Sequence, residues 1–597
     1  MQSYSIFPFG SVPKDSKILI YGAGGAGSNY FNQVRLQNYC EVLFFIDKNA
    51  EKNNFPFGKI RKPSYLKEFT DFDYIVIANL NIKIGEIIFN ELKNIGVPEC
   101  KIILPKDNTH YWSSYGFTTT YEQTDFTKLY EEVIKISPNK LVSSKRVDVI
   151  FRYLLMKDIF NNIENTHHQS LYSRYLLAHN NAEEPINFFS DNPKAGLTNY
   201  LKTCREIINS IISEDFKQEK YISVDKDNGL LNGFHRLAGC LACGKDVYVK
   251  QEPEGQSYKF TFKNIIDYGF NVQDKISILR GFSDVYAGNL GICILFSPIE
   301  ESWEYIHKQL LKHFTVVGDV TLDFTNNYFG FDNIIYELYD NAFRESEFIE
   351  RKIEALKFSP LYFKVILVSD EDFEYTNEEF YEKLTKFKLQ IRDSLYPDIL
   401  ETPIVMHASD SKSEFIKMKH ILFSNNNIDC ACKIFHNNFS SEFINNLQQL
   451  RYWCDVNNVP TEDVVIVGSS AMEIFGIKKT NDIDIVISAP MRKKLLMDEK
   501  GKRISNKLEI RWENFSIDNN LGFKDDVLLY DDNYYFFFNG FKFTNLNIIK
   551  KIKIFKNRDK DIYDLRRIQI FEDFVMAYDN KERLLQQIEI EMARRLK

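Results

Sequence analysis

The sequence predicts an α/β protein of several domains, and three observations carry that prediction. The chain opens on a strand, a glycine turn and a helix, KILIYGAGGAGSNYF from Lys17. Short apolar runs such as YIVIAN, GICILF, FKVILV and VVIV alternate with charged stretches of helical period. At 597 residues, the chain has room for about four domains. Joints are expected near 107–145, 252–275 and 438–445, which delimit segments 1–107, 145–255, 275–438 and 441–597.

Composition narrows the function. A hydrophobic fraction of 44% is ordinary for globular cores. No apolar run approaches the ~20 residues that span a bilayer, and the opening MQSYSIFPFGSVPKDSK lacks signal-peptide character. Membrane insertion is therefore not expected. Nine scattered cysteines, an odd number, argue against a secreted disulfide framework and for a cytoplasmic protein. Cys240 and Cys243 lack a second pair at zinc spacing and read as helix packing. A net charge of −8 gives no basic footprint, which weighs against nucleic acid and favours small-molecule substrates. Composition carries no signal for an oligomeric state.

In the first segment, the strand ending at Tyr21 meets Gly22-Ala-Gly24-Gly-Ala-Gly27 and then a helix. The first glycine permits a tight turn, the second lets backbone approach a phosphate, and the third lets the helix pack on the sheet. Asp47, at the end of FFID, is placed to bond a ribose hydroxyl. Together these features predict a Rossmann-type parallel sheet. The short form, with FFIDKN and DYIVIAN, looks like the Rossmann domains attached to bacterial nucleotide-sugar dehydratases and sugar acetyltransferases. That resemblance implies NAD(P) or a nucleotide-sugar as ligand, or an accessory role. No Tyr-x-x-x-Lys pair follows Asp47 within the segment, so short-chain hydride chemistry is not supported.

The second segment carries KYISVDKDNGLLNGFHRLAGCLACGKDVYVK. ISV and VYV read as strands, and Asn232-Gly233-x-His235-Arg236 as a turn entering a helix. An imidazole and a guanidinium beside free N–H groups suit an anion. The plainer reading is a capped helix start whose polar side chains pair locally. The block resembles the ParB/sulfiredoxin-like fold, an α+β domain whose Gly-x-x-Arg turn contacts nucleotide phosphates and some of whose relatives are small-molecule kinases. This chain has Asn232 where many kinase-like relatives have Asp.

The third segment reads as α/β without closer assignment. MHASDSKSEFIKMKHIL places His407 and Asp410 at a strand-to-helix turn, and Ser411 with Glu414 has capping-box spacing. A capped helix accounts for that turn. The alternative is a transferase or kinase site using Lys388, Arg392, His407 and Asp410.

The fourth segment is the most informative. In VVIVGSSAMEIFGIKKTNDIDIVI, an apolar strand runs into Gly468-Ser469 and a helix expected near Ser470. Backbone N–H groups and the positive end of that helix offer a place for a triphosphate. Asp482 and Asp484 follow on the next strand, two residues apart and therefore on one face. Two carboxylates side by side repel, and a hard divalent cation relieves the repulsion. This arrangement resembles the nucleotidyltransferase superfamily typified by DNA polymerase β. The tail YYFFFNGFKFTNLNIIKKIKIFKNRDKDIYDLRRI resembles that of small bacterial members. There a Lys/Arg-rich helix ends in Lys-Asp-x-x-Asp, here Lys553, Lys556, Arg558, Lys560, Asp561 and Asp564.

The resemblance implies Mg²⁺ or Mn²⁺ on Asp482 and Asp484. It also implies an NTP whose β- and γ-phosphates lie on Gly468, Ser469 and Ser470, with Lys553 and Arg558 to neutralise them. A third carboxylate from a later strand is implied, Glu509 of LEIRWENF with Glu513 in reserve. The function these features imply is nucleotidyl transfer to a small phosphorylated or hydroxylated acceptor in surface polysaccharide precursor synthesis, with a kinase-like activity attached. Two other classes remain: a toxin-type or regulatory transferase acting on tRNA or protein, and a non-catalytic nucleotide-sensing scaffold.

Overall fold

Strand Lys17–Tyr21 stands at the centre of a five-stranded sheet in the computed structural model of the chain. The structure describes residues 3–595 apart from 51–58, 105–108, 112–132, 180–195, 340–345, 396–404, 496–501, 511–524 and scattered shorter gaps. The neighbours of Lys17–Tyr21 are Glu41–Ile46 and Tyr74–Ile77, with Ile60–Arg61 and Ile102–Ile103 at the edges. Every pairing is parallel. Such strands are buried on both faces, which explains their unbroken apolar runs. Ile18 and Ile20 pack with Tyr30 and Val34 of helix Gly25–Leu36, whereas Leu19 and Tyr21 pack with Ile88 and Leu92 of helix Ile82–Ile95. The strand order reverses direction between Lys17–Tyr21 and Tyr74–Ile77, so the crevice at their carboxyl ends is a topological switch point.

The chain divides into two units, Met1–Phe260 and Thr261–Lys597, and each contains two of the four expected segments. In the first unit, a second sheet pairs Val247–Gln251 antiparallel with Ile134–Ile136 and parallel with Ile222–Val224. Helices Asp148–Phe160, Gly196–Glu214 and Phe234–Cys243 pack with it. Cys240 is fully buried beside Ile211 and Leu237, and burial pushes its thiol up to about 12. A charged knot lies behind the last helix. Arg146 makes two 2.9 Å bonds to Asp148, Arg152 donates to Tyr175 Oη at 3.1 Å, and the Arg146 guanidinium stacks 4.0 Å from the Phe234 ring.

The second unit is built on two sheets. Strands Thr315–Asp323, Tyr362–Ser369, Leu290–Phe296 and Met406–Ala408 form an antiparallel sheet in that order. The other has six strands: Lys502–Arg503, Leu508–Ile510, Ile483–Ile487, Val464–Val467, Phe541–Thr544 and Tyr535–Phe538. The last two make a hairpin through Asn539-Gly540, both at positive φ, as a tight primed turn requires. Its outer strand is a sheet edge, whose outward backbone groups have no neighbouring strand. Asparagines from the other half of the unit cover it. Asn427 Oδ1 accepts from Phe537 N at 2.8 Å, Asn333 Nδ2 donates to Phe537 O at 3.1 Å, and Asn426 Nδ2 donates to Tyr535 O at 2.5 Å. Buried Glu337 accepts from Gly540 N at 3.0 Å. Segments 275–438 and 441–597 are thus bonded into one body. Among the described residues, no helix is long and apolar enough to cross a membrane.

Arg280 sits in the same seam. It pairs with Asp284 at 3.2 Å and Asp532 at 2.8 Å, and its Nη1 and Nη2 both lie 3.3 Å from His420 Nδ1. An imidazole accepting from a guanidinium must be neutral there. Burial, then the Arg280 and Lys419 charges, lower the pKa of His420 from 6.5 to about 3. The unfolded chain therefore takes up this proton first as pH falls. This contribution to stability is present above pH 6.5 and should decline between about 6.5 and 3, with about one extra proton bound on unfolding. His420→Gln, which keeps an acceptor, should flatten that part of a urea-derived stability profile. An unchanged slope would refute the assignment.

Candidate functional site

Strand Val464–Val467 is fully apolar and buried, and its carboxyl end delivers the turn Gly468-Ser469. Gly468 has φ +80°, a conformation that a side chain disfavours, and a Cβ there would come 3.3 Å from Asp484 Oδ2. Asp484 pairs in register with Val467 on one side and Glu509 on the other. Neighbouring strands lie about 4.8 Å apart, so Glu509 stands directly beside Asp484. Asp482 immediately precedes the strand and is exposed, while Asp484 is half-buried. Ser470 Oγ donates to Asp482 O at 3.2 Å, which ties the turn to the carboxylate strand. Glu513 lies outside the described residues.

The helix after the turn spans only Ser470–Ile474. The sequence suggested a helix dipole, but five residues give little of one. Any anion at this turn would rest on individual N–H groups. Glu473, 3% exposed, fixes the short helix: its carboxylate accepts from Ser440 N at 2.8 Å and from Thr480 N at 2.6 Å.

The basic tail does not follow the expected layout. Helix Leu546–Lys556 ends at Asn557, which is left-handed at φ 45°, and a second helix, Asp559–Arg595, begins after it. Lys560, Asp561 and Asp564 therefore open the second helix rather than close the first. The break folds the two helices together around Lys553. This lysine is 5% exposed; its Nζ donates to Asp564 Oδ2 at 2.7 Å, stands 3.7 Å from Asp561 Oδ1, and reaches Ser469 Oγ at 3.1 Å. Lys478 Nζ also donates to Asp564, at 3.0 Å. Burial works to raise the Asp564 pKa, but the bonds from Lys553 and Lys478 outweigh it and hold the carboxyl below the ordinary range. Arg558 donates through Nε to Asp561 at 2.6 Å, and this bond, helped by the charge of Asp484, raises its pKa. Lys478 was not legible as a site residue, and nothing in the local sequence marks it.

Among the described residues, no three His, Cys, Asp or Glu side chains converge as a ready metal cluster. What the site offers is Asp482 and Asp484 with Glu509 alongside. That donor set fits a hard cation that keeps waters and substrate oxygens in its remaining positions.

The other predicted positions lie elsewhere. In the parallel-sheet domain, Gly22 has φ +113°, and a Cβ on Gly27 would come within 1.9 Å of Gly22 O. A Cβ on Gly24 would meet nothing within 4 Å, so that glycine faces open space. Asp47 turns back to the loop: Oδ2 accepts from Ala23 N at 2.9 Å and Oδ1 from Asn49 N at 2.8 Å. In the second sheet domain, Asn232, Gly233, His235 and Arg236 line a cavity of about 600 Å³ together with Thr203 and Lys220. Arg236 spends Nη1 on Lys220 O at 2.5 Å and Tyr221 O at 3.0 Å, His235 Nε2 meets Tyr172 Oη at 2.7 Å, and Asn232 Oδ1 accepts from Gly233 N at 2.6 Å. The turn thus makes local bonds, with carbonyls and a phenol as partners.

Comparison with known proteins reaches one part of the chain. Residues 14–103 match the family model described as C2185-like, N-terminal. No curated protein matches the chain, and no solved structure does. The match spans the parallel-sheet domain and stops short of the Asp482/Asp484 site.

Two substitutions separate the glycine roles. Gly27→Val must displace Gly22 O and should cost the domain its cooperative melting transition. Gly24→Val should leave thermal unfolding within about 2 °C of wild type, while removing any calorimetric binding of NAD, NADP or nucleotide-sugars. Equal melting behaviour of the two variants would refute the distinction. At the second site, Lys553→Met removes the nearest cation of buried Asp564 and leaves that carboxylate with Lys478 alone, while Asp561 keeps Arg558. The substitution should lower stability in urea by roughly 3 kcal/mol. A loss below about 1 kcal/mol would show that Lys553 is not a structural keystone.

Proposed function

We propose that the chain is a Mg²⁺-dependent nucleotidyltransferase, built on a polymerase β-like domain over residues 441–597. The observation that carries this reading is the meeting of three elements. The Gly468-Ser469 turn lies against Asp484, Glu509 stands in register beside Asp484, and Lys553 reaches the hydroxyl of Ser469. A glycine turn facing paired carboxylates, with a lysine at its edge, suits a triphosphate and a hard cation.

In this reading, Asp482 and Asp484 hold Mg²⁺ or Mn²⁺. The bound cation supplies charge neutralisation on the phosphates and a lower pKa for an attached oxygen nucleophile. The N–H groups of Ser469 and Ser470 take β- and γ-phosphate oxygens. Lys553 places its ammonium at the turn, and Arg558 adds a guanidinium on the side of Asp484. An acceptor oxygen forms a bond to the α-phosphorus as the bond to pyrophosphate breaks in line with it. Glu509 stands where it can accept the proton of an acceptor hydroxyl, while a phosphate acceptor needs no base. The acceptor class is a small phosphorylated or hydroxylated molecule, as in surface polysaccharide precursors. This fits an acidic chain and a Rossmann-type first domain suited to NAD(P) or a nucleotide-sugar.

Incubation with α-³²P-labelled NTPs and candidate sugar phosphates tests the reading. Label should move to a small molecule with release of pyrophosphate. Asp482→Asn with Asp484→Asn keeps side-chain shape and should reduce transfer by roughly a hundredfold or more. Label on tRNA or protein would instead support a macromolecule-modifying enzyme. Wild-type transfer by the double variant would refute the metal assignment.

A further inference from the structure

The antiparallel sheet of the second unit carries a buried basic cluster that nucleotidyl transfer does not use. Lys352, on helix Glu347–Leu356, is 2% exposed and donates to Tyr339 Oη. Its ammonium lies 4.4 Å from the Phe296 ring centre and 4.6 Å from that of Tyr339, and no carboxylate pairs with it among the described residues. The Tyr339 ring is 4.7 Å from that of His407, which is 6% exposed on strand Met406–Ala408. Helix Asn377–Leu395 adds Lys388, also 6% exposed, and Arg392, whose Nη2 donates to Met406 O at 2.9 Å. Four basic side chains, Lys352, Lys388, Arg392 and His407, therefore gather beside two acids, Asp410 and Glu414.

Two nitrogens in this cluster are buried with no hydrogen-bond partner: Arg392 Nε and His407 Nε2. Glu414 Oε1 stands 3.2 Å from His407 Nε2 but out of hydrogen-bonding alignment, while Oε2 of the same carboxylate accepts from Asp410 N at 2.5 Å. Orphaned buried donors are rare because each forgoes its bonds to water. A guanidinium Nε and an imidazole in its Nε2–H tautomer both ask for an oxygen acceptor. Burial, with the nearby Arg392 and Lys388 charges adding to it, lowers the pKa of Lys352 well below the usual lysine value. Asp410 is the exposed member, with 48% of its side chain accessible, and it bonds both Lys388 Nζ and Thr385 Oγ1. The turn that carries it is also a capped helix start, since Ser411 Oγ accepts from Glu414 N at 3.2 Å.

We propose that Lys388, Arg392 and His407 form a binding site for a phosphate group, with Asp410 occupying the place of one phosphate oxygen. A phosphate presents several acceptor oxygens and matches a guanidinium and an ammonium together. It would displace the half-exposed Asp410 carboxylate from Lys388, give Arg392 Nε its missing acceptor, and offer His407 Nε2 an oxygen better aligned than that of Glu414. The ligand is either free phosphate or a phosphomonoester. The site is independent of the Asp482/Asp484 centre.

Calorimetric titration of the full chain carrying Asp482→Asn and Asp484→Asn tests this without interference from the nucleotide site. Inorganic phosphate and glucose 1-phosphate serve as probes. Binding of either supports the site: inorganic phosphate alone marks the free ion, and glucose 1-phosphate marks an ester. Arg392→Gln added to this background should abolish binding. Because that variant can disturb folding, Asp410→Asn provides a second arm on an exposed residue. It removes the competing charge and should tighten binding roughly fivefold or more. Absence of binding by both probes, retention of binding in a folded Arg392→Gln variant, or an Asp410→Asn affinity equal to that of the background would each overturn the proposal.

Discussion

A lysine ammonium taken out of water needs carboxylates close by, or it gives up its proton. Lys553 meets that demand with Asp564 and Asp561, and the geometry of the candidate site depends on it. The two carboxylates lie on the first turns of the long helix Asp559–Arg595, so the lysine pins that helix to Leu546–Lys556 across the break at Asn557. The same ammonium touches Ser469. Through this one group, helices at the end of the chain are fastened to a turn about eighty residues earlier, as the 84-residue separation of Lys553 and Ser469 shows. Lys478 draws Asp564 further in, and Glu473 locks the short helix from the other side. The turn beside Asp484 is held by charged groups on both sides, even though its helix is only five residues long.

Much of the architecture was legible in the sequence because it follows from short-range rules. Gly22 and Gly468 adopt positive φ at strand ends, where a turn requires it, and the apolar runs around them form the strands they suggest. Asp482 and Asp484 were visible as an anomaly in an apolar strand. Glu509, which the resemblance implies as a third carboxylate, lies on the neighbouring strand in register with Asp484. Ser411 was readable as a helix cap and serves as one.

What the sequence could not show were roles set by distant partners. Asp561 and Asp564 read as parts of a basic motif, and in the fold they hold Lys553 and Arg558. The run Asn425-Asn-Asn427 has the look of a polar linker, but it covers the edge strand Tyr535–Phe538, over a hundred residues away, at separations of 109 and 110. Asp47 matches a ribose-binding position, and its oxygens bond the backbone of the glycine turn at Ala23 and of its own loop at Asn49. Lys352 and Tyr339 carry no local signal at all. Their proximity to His407 and Lys388 depends on how three helices dock on one sheet. In each case the pattern fixes residue type and local geometry, while the partner comes from tertiary packing.

The central claim is that the Gly468-Ser469 turn and the Asp482/Asp484 strand together receive a nucleotide and a divalent cation. A crystal structure of the full chain with Mn²⁺ and a non-hydrolysable NTP analogue tests it most directly, because anomalous scattering locates the ion independently of activity. The account predicts one Mn²⁺ bound by Asp482 and Asp484, with β- and γ-phosphate oxygens on the N–H groups of Ser469 and Ser470. Nucleotide and ion bound elsewhere on the chain, with this turn and both aspartates unengaged, would contradict it.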